Sequence, residues 1–187
     1  GIEIDGDILD AGRKYFNMDS SNLSTITADG RLALRHLHGD YSVIAVDAYR
    51  LPYIPWHLTT QEFFIETKSH LTKTGVLAIN VGRTHTDRRL VDALAATLLS
   101  VYPTVHTIDV PNTFNSILVA TVSPTSSSNL KANLNILPAN THPLLKTMLQ
   151  KTIDNLAQSN PSNIIFTDDR APVEQLTDSI LLRYLLK

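Results

Sequence analysis

The stretch YSVIAVDAYRLPYIPWHLTTQEFF, residues 41–64, decides the architecture. Its first half reads as a buried strand: β-branched and small apolar residues run from Val43 to Val46 and end at Asp47. Open α/β sheets present their working edge at strand carboxyl ends, so a carboxylate there is a candidate functional group. A loop rich in proline and aromatic residues follows, and a helix opens at Thr59 or Thr60. Long loops at such a position are usually functional.

Outward from that stretch, strand-like and helix-like segments alternate. Residues 1–5 and 24–28 read as short strands, 7–16 and 29–37 as helices, 60–71 as a helix carrying Phe63, Phe64 and Leu71 inward, and 75–82 as a second buried strand. Leu90, Val91, Leu94, Ala95, Leu98 and Leu99 recur with a helical period over residues 87–102, which Pro103 ends. Residues 105–110 and 116–122 read as a closing antiparallel pair. This order predicts an α/β fold with a mostly parallel sheet covered on both faces and one reversed edge strand. Residues 123–129, SPTSSSN, read as a polar connector. Beyond it, Leu144, Leu145, Met148, Leu149, Ile153 and Leu156 mark one side of a helix, and residues 172–186 form a second amphipathic helix. The expected organisation is a domain over 1–123 with a C-terminal helical layer, 124–187, packed on it.

The chain of 187 residues has 16 basic and 18 acidic side chains and a net charge of −2, which gives no general attraction to nucleic acid or anionic membrane. It lacks cysteine, so disulfides and thiolate chemistry are excluded. No apolar run approaches the roughly 18 residues a membrane span needs. The pair His36 and His38 reads as solvent-facing, and no metal site is expected. There is no G-x-S-x-G elbow and no Walker-type loop.

Acids recur at the ends of the strands: Glu3 and Asp5 at the first, Asp29 at the next, Asp47 at the third. A carboxylate in that place can accept two ribose hydroxyls, or the amino group of a base. Asp5 and Asp29 also stand where they would cap the helices that follow, and for Asp29 the two roles remain open.

GIEIDGDILDAGRKYF at 1–16, ADG at 28–30 and YSVIAVDAY at 41–49 together resemble the aminopropyltransferases, the spermidine synthase-like proteins on the Rossmann-like class I methyltransferase fold. The loop YIPWHLTTQEFF and the tail FTDDRAPVEQL at 166–176 resemble bacterial members in particular, some of them fused to transmembrane segments. The resemblance implies a cytoplasmic transferase, or the cytoplasmic domain of a membrane-fused one, that keeps no permanently bound cofactor. Its co-substrate would be decarboxylated S-adenosylmethionine and its partner a small-molecule amine such as putrescine, with room for a homodimer. Glu3 would hold the donor's ribose, Asp29 and Gly30 its adenine, and Asp47 would accept the proton of the attacking amine. Tyr49, Arg50, Tyr53 and His57 are the candidates in the substrate loop.

Two departures qualify it. Arg50 stands where the family pattern has a second acid, and a desolvated cation there would repel a diamine. The family's glycine-rich turn would lie about 20 residues before Gly1, together with a first strand that belongs mid-sheet. The chain therefore reads as N-terminally truncated, and alone it is expected to bind the donor poorly and be inactive. The alternatives are a methyltransferase of the same fold, using S-adenosylmethionine itself, and a non-catalytic module. Around Asp168, Asp169 and Arg170 the expected role is a helix start, with bracing of the active-site loop as the alternative.

Overall fold

The computed structural model describes residues 1–186. Contacts divide the chain into two units, Gly1–Gly39 and Asp40–Lys187.

The first unit is two βα steps. Strands β1 (Ile2–Glu3) and β2 (Ile26–Thr27) pair parallel, with Glu3 opposite Thr27. Helix α1 (Gly6–Phe16) follows β1 and α2 (Gly30–His36) follows β2. Each helix starts on an aspartate: Asp5 accepts from the Asp7 N–H and Asp29 from the Leu32 N–H, both at 2.9 Å. These bonds satisfy donors that the first helical turn cannot pair internally. Helix α1 ends at Asn17 in the left-handed region, φ 52°, a conformation that asparagine tolerates. The apolar burial of this unit is small, limited to Leu9, Ala33 and Leu34.

The second unit is built on a five-stranded sheet ordered β3-β4-β6-β5-β7: Tyr41–Val46, Leu71–Gly82, Asn115–Thr121, Thr104–Asp109 and Leu156–Ala157. Strands β3 and β4 are parallel, and β6 runs antiparallel to both β4 and β5. Strands β3, β4 and β5 therefore share one direction, while two strands run against them: β6 inside the sheet and the short β7 at its edge. The strands leading to Asp5 and to Asp47 belong to different sheets.

Between the strands run a 3₁₀ turn (Trp56–Leu58), α3 (Gln61–Ser69), α4 (Arg89–Leu99), α5 (Ser127–Asn135), α6 (Pro143–Asp154) and α7 (Val173–Leu185). Alternate residues of β4, Leu77, Ile79 and Val81, are buried together with Leu118 and Ala120 of β6, as a period of two requires. Helix α4 buries Leu90, Val91, Leu94 and Leu98, packing against the sheet, α3 and α7. Inside this core the Tyr102 hydroxyl lies 2.9 Å from Thr67 Oγ1, and burial pushes its pKa up to about 12.

The structure differs from the sequence-based expectations in several places. Strand β3 has a neighbour on one side only, so Val43 is 58% exposed where a buried strand was expected. Residues 127–129 of the expected connector belong to helix α5, which opens on a capping box of Ser126 with Asn129. Leu71 and Leu156, both expected on helices, lie in β4 and β7 and pair with Tyr41 and Ile108. Helices α5 and α6 pack on each other and leave Leu144, Leu145 and Met148 more than half exposed, so the apolar stripe of α6 is not turned into a packed layer. Among the described residues no helix is long and apolar enough to cross a membrane.

Candidate active site

The parallel register sets Val46 of β3 beside Ile79 of β4, so the next residues, Asp47 and Asn80, are neighbours at the strands' carboxyl ends. The Asn80 side-chain amide donates to Asp47 Oδ1 at 3.0 Å. No helix begins behind Asp47, and its carboxylate is held across strands by that side chain. The carbonyl oxygen of the same Asn80 side chain is buried with no hydrogen-bond partner among the described residues. A buried acceptor left in this state is costly, and such groups concentrate at sites that receive a ligand.

Two residues on, the Tyr49 hydroxyl donates to the Asn80 backbone carbonyl at 3.0 Å. Burial pushes its pKa up to about 12 against the opposing hydrogen bond from the Gly82 N–H, and the Asp47 charge adds to the rise. Tyr49 is thus a neutral anchor that pins the loop to the end of β4. Arg50 and Tyr53 exchange backbone hydrogen bonds of 2.8 and 3.0 Å around a cis Leu51–Pro52 peptide. Arg50 is exposed. The Tyr53 hydroxyl leaves the loop and donates to Asp178 Oδ1 of α7 at 2.7 Å. His57 lies in the 3₁₀ turn, edge-on to Trp56 with ring centroids 5.8 Å apart. Ile54, Leu58, Thr59 and Thr60 are buried, so the loop is packed along its second half.

The acids of the first unit behave differently. In register, β1 and β2 bring Glu3 and Asp29 to the same end of their small sheet. Glu3 Oε1 accepts from the Asp5 N–H at 3.0 Å, and Asp29 caps α2. Gly30 opens α2, and no atom lies within 4 Å of where a Cβ would sit there, which leaves room for a ligand to approach the backbone.

The loop after β4 carries a separate ion-pair network. Arg88 contacts Asp109 at 2.6 Å, Ser116 donates to the same carboxylate at 2.7 Å, and Arg89 grips Asp87 through two nitrogens. Burial works to raise Asp109, but Arg88, Ser116 and Arg83 outweigh it and hold the carboxyl below its ordinary value. For Asp87 the Arg89 hydrogen bond is the main cause of the same lowering. Among the described residues no group of three or more histidines, cysteines or acids could hold a metal. His36 Nδ1 lies 2.8 Å from the Leu32 carbonyl of its own helix.

Sequence reasoning missed Asn80. The signal was a carboxamide interrupting the apolar run GVLAINVG, but its partner depends on strand register. Also missed was a cavity of about 380 Å³ where Trp56 of the loop faces Asp168, Asp169, Ala171, Glu174 and Gln175.

No protein-family model matches the chain. It is 31% identical over 191 residues to the probable polyamine aminopropyl transferase of Bifidobacterium longum (strain NCC 2705), covering 94% of this chain and 43% of that protein. It is 34% identical over 114 residues to the polyamine aminopropyltransferase of Vibrio vulnificus (strain CMCP6), covering 59% and 37%. In sequence the chain is similar to the spermidine synthase-like polyamine aminopropyltransferases. It spans less than half the length of these curated relatives.

Solved structures agree on the fold of this chain. A probable spermidine synthase from Corynebacterium glutamicum ATCC 13032 superposes with a TM-score of 0.62 at 22% identity, covering 87% of this chain and 63% of that one. A spermidine synthase in complex with the transition state analogue AdoDATO also gives 0.62, at 17% identity over 84% of this chain and 57% of that one. Human methyltransferase-like protein 13 in complex with SAH gives 0.59 at 22% identity, covering 87% and 74%. At such identities the likeness speaks for the fold alone, a Rossmann-like, class I methyltransferase-type sheet.

Proposed function

We propose that the protein containing this chain transfers an aminopropyl group from decarboxylated S-adenosylmethionine to an amine such as putrescine, with Asp47 as proton acceptor. The observation that carries this reading is the Asp47 carboxylate at the end of β3, serving no helix cap and oriented by the Asn80 amide at 3.0 Å.

The chemistry suits these groups. An alkylamine is protonated near neutral pH and cannot attack until it loses a proton, since its lone pair is occupied. A carboxylate at the acceptor site attracts the ammonium and takes that proton. The amine nitrogen then bonds to the carbon beside the sulfonium as the C–S bond breaks, and the bonding pair leaves on sulfur. The leaving group is a neutral thioether, so no acid has to protonate it. Alignment of nitrogen, carbon and sulfur supplies much of the remaining acceleration. Asn80 engages one Asp47 oxygen, and we assign the other to the amine.

In this reading Glu3 binds the donor's ribose, and Asp29 with Gly30 binds its adenine. Supporting this, Glu3 and Asp29 share one end of the first unit's sheet, and Gly30 leaves open space beside them. Tyr49 and Tyr53 act as anchors of the acceptor loop, with His57 between Trp56 and Leu58 in its 3₁₀ turn. Arg50 is exposed, so solvent and salt screen its charge and a diamine remains an acceptable substrate.

The test is product formation from putrescine with each donor. An aminopropylated product from the decarboxylated donor is the expected result. A methylated product from S-adenosylmethionine would replace this reading with methyl transfer, and no product from either would leave a non-catalytic module.

A further inference from the structure

The loop that follows Asp47 is tied to its own strand pair at one end, through Tyr49 and Asn80. Its other half is tied to a part of the chain more than a hundred residues away. The Tyr53 hydroxyl donates to Asp178 Oδ1 at 2.7 Å, across 125 residues of sequence. At the loop's exit Thr60 Oγ1 donates to Asp168 Oδ1 at 2.7 Å, while the same Oγ1 accepts from the Phe63 N–H and so caps α3. The Asp168 N–H returns a bond to Glu62 Oε2 at 2.9 Å, and the Gln61 N–H donates to the Phe166 carbonyl at 2.8 Å.

The C-terminal side of these ties is rigid. Phe166 and Val173 are fully buried, the Phe166 N–H donates to Thr97 Oγ1 of α4 at 3.0 Å, and α7 packs on α4. Asp168 and Asp178 are therefore presented to the loop by a segment anchored in the core. The Tyr53–Asp178 bond is exposed to solvent, and exposed bonds of this kind add little to global stability. What such a bond can do is restrict where the loop sits.

We propose that the C-terminal segment positions the acceptor-amine loop: Asp178 acting through Tyr53, and Asp168 through Thr60, set the placement of the chain between Asp47 and α3. Both are positioning residues that work through the loop and contact no reacting atom. The kinetic part of this proposal rests on the aminopropyl-transfer reading, and the structural part does not.

The single tryptophan, Trp56, lies between the two ties and is 45% exposed, so its fluorescence reports loop order without any assay of activity. The experiment compares Tyr53→Phe, Asp178→Ala and the double variant in the whole protein. Acrylamide quenching of Trp56 rises by the same factor in all three, because each removes the same bond, while the denaturation midpoint stays at the parent value. With putrescine as acceptor, KM for the amine rises roughly threefold to tenfold, and kcat and the donor KM hold within about twofold of the parent. Asp168→Ala repeats the pattern at the second tie.

Parent-like quenching in both single variants overturns the proposal. So does a parallel loss of kcat, both KM values and midpoint, which would mark the bond as merely structural. If the parent protein makes no aminopropylated product, the transfer reading fails while the quenching result still decides whether the brace exists.

Discussion

Asp5 and Asp29 close strands that run straight into helices, and both carboxylates are turned back on the first helical turn. Asp47 closes a strand that runs into a loop, and its partner is a side chain on the neighbouring strand. The difference teaches what an acid at a strand end is for. Where a helix follows within a residue or two, the backbone N–H groups claim an oxygen and the acid contributes stability whatever else it binds. Where a loop follows, nothing local claims the carboxylate, and holding it needs a group supplied by the tertiary structure. A donor-binding acid can double as a cap. A proton acceptor is better placed without one, because it has to exchange its proton with the substrate.

The sharpest way to break this comparison is to neutralise each acid without changing its shape. Asp47→Asn should lower kcat for aminopropyl transfer by roughly 10²–10⁴-fold with little change in the denaturation midpoint; parent-like turnover would remove Asp47 from the chemistry. Next in size is the contrast between the two units' interiors. Phe64, fully buried in the second unit, should cost about 3–5 kcal/mol as Phe64→Ala in chemical denaturation. Leu34→Ala in the first unit, where few apolar side chains are buried, should cost less.

Asp29 then separates cap from ligand. Asp29→Ala should lose about 1 kcal/mol of stability. Asp29→Asn keeps a capping oxygen and should lose only a few tenths, while still weakening binding of the adenosyl donor, measured by calorimetry. Equal donor affinity in Asp29→Asn and parent would reduce Asp29 to a cap. The smallest effect concerns Asp87 and Asp109, whose carboxyls are held below their ordinary values by arginine partners. A depressed folded-state pKa contributes stability that is present above the unfolded value of about 3.9 and is lost as pH falls through the folded one. Tm should therefore decline below about pH 4, and Asp109→Asn should flatten that decline by no more than about 1 kcal/mol.

Much of the fold was legible because it is written in periodicity. The run of Leu90, Val91, Leu94 and Leu98 recurs every three or four residues, and α4 buries those side chains. The caps at Asp5 and Asp29 were legible for a similar reason, since donor and acceptor lie two or three residues apart. Helix α5 was harder to read, because Ser127–Asn135 has no apolar stripe and buries no residue. The stripe of α6 was visible, but whether Leu144 and Met148 are covered depends on what packs against them.

By itself the sequence determined the order of the elements, the acids at their ends, and the family resemblance carried by GIEIDG, ADG and YSVIAVDAY. Only the tertiary structure decided that Asp47 is held by Asn80, 33 residues away, and that Tyr53 is held by Asp178. The physical reason is range. A cap forms wherever the backbone turns into a helix, whereas a bond across strands exists only once register has brought two distant side chains to the same edge.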